Sequence, residues 1–117
     1  MILVKQRTDC DCGCAAIASL CGVTYEQAAE AWRSALGREP HASRYWHLLK
    51  VMEVLGKPGY RVNSAIKCIR FVREAPRLRT GHWVVTIGDG LWCPTLGWFD
   101  LKSDYPWKNF GRGIALA

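Results

Sequence analysis

A glutamine at Gln6, a cysteine at Cys12 and a histidine at His82 are the parts from which a thiol nucleophile site is built. Cys12 lies six residues after Gln6, in the run Asp11-Cys12-Gly13-Cys14-Ala15, and an alanine-rich stretch follows it. A cysteine attacks as its thiolate, and a helix N-terminus favours negative charge through its unpaired amides and macrodipole. Gly13 is expected to remove bulk beside the sulfur, so that a substrate backbone can approach. Attack on a carbonyl creates an oxyanion that preorganised donors must stabilise. The Cys12 amide and the Gln6 side-chain amide are donors of the right kind. The thiol proton needs a base, most often a histidine brought in from elsewhere in the chain. His82 opens the strand-like run His82-Trp83-Val84-Val85 immediately after Gly81, where a side chain can face a groove. His41 and His47 fall beside or on a helix and read as surface or packing residues.

These residues need elements to position them. Cys12 to Cys21 reads as an apolar first helix with Gly22 where a terminating glycine belongs. Thr24-Tyr25-Glu26-Gln27 has the form of a capping box, which opens a second helix to about Leu36, closed by Gly37. A third helix is expected from near Ser43 to Leu55, with Trp46, Leu48, Leu49, Met52 and Leu55 on its buried face. Tyr60 to Asn63 looks like a short strand. Ser64 to Ala75 fits a helix or a strand, and Pro76 ends it in either case. His82 to Ile87 is a strand by composition; Gly88-Asp89-Gly90 turns it into a second arm, Leu91 to Cys93. The tail is rich in loop signals, with room for one last strand. Helices followed by an antiparallel sheet give an α+β fold.

Gln6, Asp11-Cys12-Gly13-x-Ala15 and Gly81-His82-Trp83-Val84-Val85, taken together, resemble the papain-like cysteine peptidases. The chain is most similar to the small double-glycine leader peptidase domains of bacteriocin exporters and their free-standing relatives. The likeness covers essentially residues 1–117 and implies one papain-like domain with the nucleophile helix first and the His hairpin late. It implies Cys12 as nucleophile, His82 as general base and Gln6 as oxyanion-hole donor, with no cofactor. Cys10 and Cys14 lack the six-residue offset from Gln6. In the family the strand after the His hairpin ends in Asp-Pro, and that Asp orients the imidazole. Here Cys93-Pro94 stands in its place, so Cys93 takes the third position. Asp89, Asp100 and Asp104 are the acids that could substitute. The resemblance implies hydrolysis of a peptide or isopeptide bond through an acyl-enzyme; a domain that keeps the fold and binds a partner without turnover is the alternative.

Bulk properties bound these readings. The chain of 117 residues suits one domain, and with half its residues hydrophobic it can form a core without disulfides. No apolar run is long enough to span a membrane, and no signal peptide is expected at the start. Six cysteines in such a chain point to free thiols in a reducing compartment; a small bacterial or phage protein acting in the cytoplasm fits its size. Cys10-x-Cys12-x-Cys14 has tighter spacing than paired zinc ligands, and Cys-x-x-Cys is absent, so metal and redox roles rank below catalysis. Net charge is +6, and residues 57–79 carry seven basic residues against Glu74 alone. That segment could draw an acidic partner; without a nucleic-acid motif beside it, nucleic acid is not the expected one. Trp32, Trp46 and Trp83 are expected in the core, and Trp92, Trp98 and Trp107 nearer a substrate cleft.

Overall fold

The computed structural model describes residues 2–63, 65–73 and 81–117. Three helices come first: α1 (Cys12–Cys21), α2 (Tyr25–Leu36) and α3 (Tyr45–Val54). Six strands follow: β1 (Gly59–Val62), β2 (Lys67–Arg73), β3 (Gly81–Ile87), β4 (Gly90–Cys93), β5 (Gly97–Phe99) and β6 (Asn109–Leu116). The strands form one antiparallel sheet in the order β1-β6-β2-β3-β4-β5. The α+β expectation therefore holds. Among the described residues, no helix is long and apolar enough to cross a membrane.

Local chemistry sets the helix limits. Every residue of α1 is buried, as expected of a helix that is apolar all round. It stops at Gly22, whose φ of 70° a residue with a Cβ rarely adopts. The Thr24–Gln27 capping box forms as read from the sequence: Thr24 Oγ1 accepts from Gln27 N–H, and Gln27 Oε1 accepts from Thr24 N–H. α3 starts with half of such a box: Arg44 N–H donates to His47 Nδ1, and Arg44 has no side-chain acceptor to return the bond.

Alternation then divides the sheet. Ile69, Trp83, Val85, Trp92 and Ile114 face the helices and close the main core with Ile17, Trp32, Leu48 and Met52. Val72, Val84, Leu91 and Cys93 face the other way, against Tyr105, with Phe99, Trp107 and Phe110 at the margin of this second core. The N-terminal segment is tied to both layers. Val4 N–H donates to Ser19 Oγ of α1 at 2.8 Å, and Val4 O accepts from Trp92 Nε1 of β4 at 3.0 Å.

Two open readings are resolved and two expectations need correction. The ambiguous 64–75 stretch contains β2, a strand, because Ile69 and Val72 serve opposite cores; its end at Pro76 lies outside the described residues. The last strand is present: β6 lies between β1 and β2 and supplies the sheet's interior. Trp46 is 57% exposed rather than in the core, because only Leu48, Val51 and Met52 of α3 are fully buried. Trp92, read as nearer a cleft, is buried and anchors Val4, whereas Trp98 is exposed and Trp107 half-buried.

Candidate active site

Cys12 is the first residue of α1, and only 8% of it is exposed. Its Sγ accepts from the backbone N–H of Trp83 at 3.5 Å. This contact arises where two strands part. The β3–β4 ladder runs from Ile87↔Gly90 to Val85↔Trp92, and the Trp83 amide beyond it turns to the thiol instead. The peptide joining His82 to Trp83 therefore lies against Cys12. His82 pairs with Val72 across β2 and, by alternation, faces the layer opposite α1. There its imidazole stacks on Trp107, with ring centres 5.0 Å apart and planes 29° apart.

Gln6 reaches the same junction from the N-terminal segment. Its N–H donates to Pro94 O at 3.2 Å, and its Oε1 accepts from Thr95 Oγ1 at 2.6 Å. Its Nε2 donates one hydrogen to Thr8 O at 2.7 Å, and a primary amide carries a second. Cys93, at the end of β4, is fully buried and accepts from Tyr105 Oη at 3.2 Å and Leu96 N–H at 3.4 Å. Of the acids that could replace it, Asp100 accepts from Trp98 Nε1 at 2.7 Å. Asp89 lies past the far end of β3, about 20 Å along the chain from His82.

The loop between Gln6 and Cys12 is organised by Asp11, a residue given no role by sequence reasoning. Its side chain is fully buried and does not cap α1. It reaches back instead: Oδ2 accepts from Arg7 N–H at 2.9 Å and Tyr25 Oη at 2.5 Å, and Oδ1 from Thr8 N–H at 3.0 Å. Burial, followed by this bond to Asp11, raises the Tyr25 phenol. The signal was available, since an aspartate next to a nucleophile candidate commonly organises its own loop by accepting nearby amides.

Electrostatics at the thiol oppose the simple helix-terminus argument. Burial pushes the Cys12 thiol up, while the amides of Trp83 and Gly13 pull it down by a smaller amount. Asp11 and the Cys93 thiol add to the upward shift. Gly13 also differs from expectation. A Cβ there would meet Trp83 Cδ1 at 3.2 Å and Ser43 Oγ at 3.4 Å, so its lack of a side chain serves core packing rather than substrate entry. Ser43 Oγ is buried without a partner among the described residues.

The neighbouring thiols diverge. Cys10 is exposed beside Thr8, whereas Cys14 is fully buried and pushed up to about 12 by burial. All six thiols are free, and among the described residues no three His, Cys, Asp or Glu side chains gather as for a metal ion. His41 and His47 do structural work: His41 Nδ1 lies 3.3 Å from Trp32 Nε1, and His47 closes the start of α3. In the basic 57–79 segment, Arg61 lies over the Tyr45 ring and Arg70 donates to Gly111 O. Arg77 and Arg79 lie outside the described residues. Comparison of the chain with protein-family models returns no match, and comparison with curated proteins returns none.

Proposed function

We propose that the chain is a papain-like cysteine hydrolase that cleaves a peptide or isopeptide bond. The observation that carries the reading is the Trp83 N–H to Cys12 Sγ contact, which joins the start of α1 to the strand bearing His82. Gln6, held against Pro94 and Thr95, supports it from the third direction.

In this mechanism the His82 imidazole turns from Trp107 toward the peptide it shares with Trp83 and takes the Cys12 proton as the sulfur attacks the scissile carbonyl. The oxyanion accepts from the Cys12 amide and the second Nε2 hydrogen of Gln6. Collapse of the tetrahedral species breaks the C–N bond, and His82 delivers its proton to the leaving amine. A water then gives a proton to His82 and its oxygen to the acyl carbon. Collapse returns the carboxylic acid product and the Cys12 thiol. Because burial raises the Cys12 thiol, the resting sulfur holds its proton at neutral pH, and proton removal accompanies attack. Cys93 in the third position contributes a hydrogen-bonded sulfur where the family has a carboxylate.

A second reading is a fold that binds a peptide or acidic protein without turnover. The raised Cys12 thiol favours it. One experiment separates the two: substoichiometric iodoacetamide at about pH 6.5, followed by peptide mass spectrometry. Exposure and desolvation alone make Cys10 the first thiol to react. The hydrolase reading expects Cys12 to react first, and that preference to vanish in His82→Ala. Alkylation of Cys10 ahead of Cys12, unchanged in His82→Ala, would overturn it in favour of the binding fold.

A further inference from the structure

The loop after α2 and the first turns of α3 enclose a cleft of about 230 Å³. Arg38, His41, Trp46, His47 and Lys50 line it together with Ala35 and Leu36. None of these residues takes part in the Cys12 site. The Trp46 indole stacks on the His47 ring at 3.8 Å and 27°, yet 57% of Trp46 remains exposed. One side of a large flat ring is thus braced while much of its surface is open. The bracing is structural: Arg44 N–H occupies His47 Nδ1 at 2.9 Å, so the neutral imidazole carries its proton on Nε2 and can donate.

The charge around this ring has one dominant sign. Arg38, Arg44 and Lys50 are exposed cations, and each disfavours a further positive charge on His47. The acid on the same loop, Glu39, is paired with Arg33 at 3.1 Å, outside the cleft. Glu53 lies one turn beyond Lys50 on α3. The volume is below the ~300–1,000 Å³ of sites that enclose a whole ligand. It suits one planar ring, with the rest of the ligand passing over the rim.

We propose that this cleft binds one nucleotide of a single-stranded nucleic acid, with the base stacked on Trp46 and the flanking phosphates on Arg38 and Lys50. An open aromatic face beside cations is how single strands are held without sequence preference. The overall charge of +6 draws such a polyanion to the surface. An acidic peptide would satisfy the cations and leave the indole uncovered, which makes it the weaker occupant. The expectation against nucleic acid rested on the 57–79 segment; this surface lies outside it.

Fluorescence anisotropy of a labelled oligothymidylate about ten nucleotides long tests the proposal between about 50 and 200 mM salt. The wild type should bind saturably, and Trp46→Ala should bind about tenfold more weakly with its salt slope unchanged. Trp46→Phe should keep most of the affinity, which separates lost stacking from lost structure. Arg38→Gln with Lys50→Gln should lower the salt slope by about 1.4. Cys12→Ala should bind like the wild type, so the result stands whether or not the chain is a hydrolase. Absence of saturable binding at about 100 µM protein would overturn the proposal. So would equal affinity in Trp46→Ala, equal displacement by an oligoglutamate of the same length, or equal competition by thymidine 5′-monophosphate per nucleotide.

Discussion

At the residue scale, Asp11 and Gln6 act as a pair. Asp11 holds the backbone of residues 7 and 8, and that loop fixes where the Gln6 amide points. Asp11→Ala leaves two amides and the Tyr25 hydroxyl short of an acceptor. A loss of about 2 kcal/mol in urea unfolding is expected, since an orphaned buried donor costs about 1–3 kcal/mol and the amides of exposed Arg7 and Thr8 regain water. A loss below about 0.5 kcal/mol would mean that the loop holds itself. Gln6→Ala separates oxyanion stabilisation from thiol activation. Acylation of Cys12 by p-nitrophenyl acetate should slow by about 10²-fold, because that step creates an oxyanion. Alkylation by iodoacetamide creates none and should keep its rate. Equal slowing of both reactions would give Gln6 a structural role.

At the element scale, α1 is buried on all sides because its small residues let it lie close to β3, α2 and α3. Gly13 packs against Trp83, where an added Cβ would lie 3.2 Å from Cδ1. The same burial makes the helix sensitive to alkali. Burial pushes Cys14 up to about 12 and Cys21 to about 11, against an ordinary thiol value of 9.0. The folded state therefore holds these protons more tightly than the unfolded chain. Their stabilisation is complete below pH 9 and is lost as pH rises toward 11 and 12. Thermal melts under reducing conditions should show Tm falling steeply from pH 9 to 10.5. Cys14→Ala, which removes the larger of the two shifts, should flatten that fall. A wild-type Tm constant across this range would contradict the burial of these thiols.

At the scale of the whole molecule, the sheet is closed by its last strand. β6 pairs with β1 through Gly59↔Leu116 and with β2 through Ile69↔Ile114, and Ile114 enters the main core. The strand must wait for residues far back in the chain, so much of the sheet depends on long-range contacts. Removal of residues 109–117 would expose edges on both β1 and β2 and open the core beneath them. Such a truncation should show no cooperative urea transition and no dispersed amide spectrum. A cooperative transition within about 1 kcal/mol of the full chain would make β6 an accessory strand.

The sequence by itself determined the local features: the three helices, the Thr24–Gln27 box, the Gly22 and Gly37 stops, and the β3–β4 hairpin. Each follows from side-chain chemistry within a few residues. It also singled out Gln6, Cys12 and His82 as candidates, because their types and order suit one chemistry. Tertiary structure decided what depends on partners distant in the chain. It made 67–73 a strand by placing cores on both of its faces, put β6 inside the sheet, and turned Trp46 outward. At the candidate site, only the parting of β3 and β4 brought the Trp83 amide to Cys12, and only burial made that thiol harder to ionise. Helix propensity and capping act over one turn; burial and strand order are properties of the whole chain.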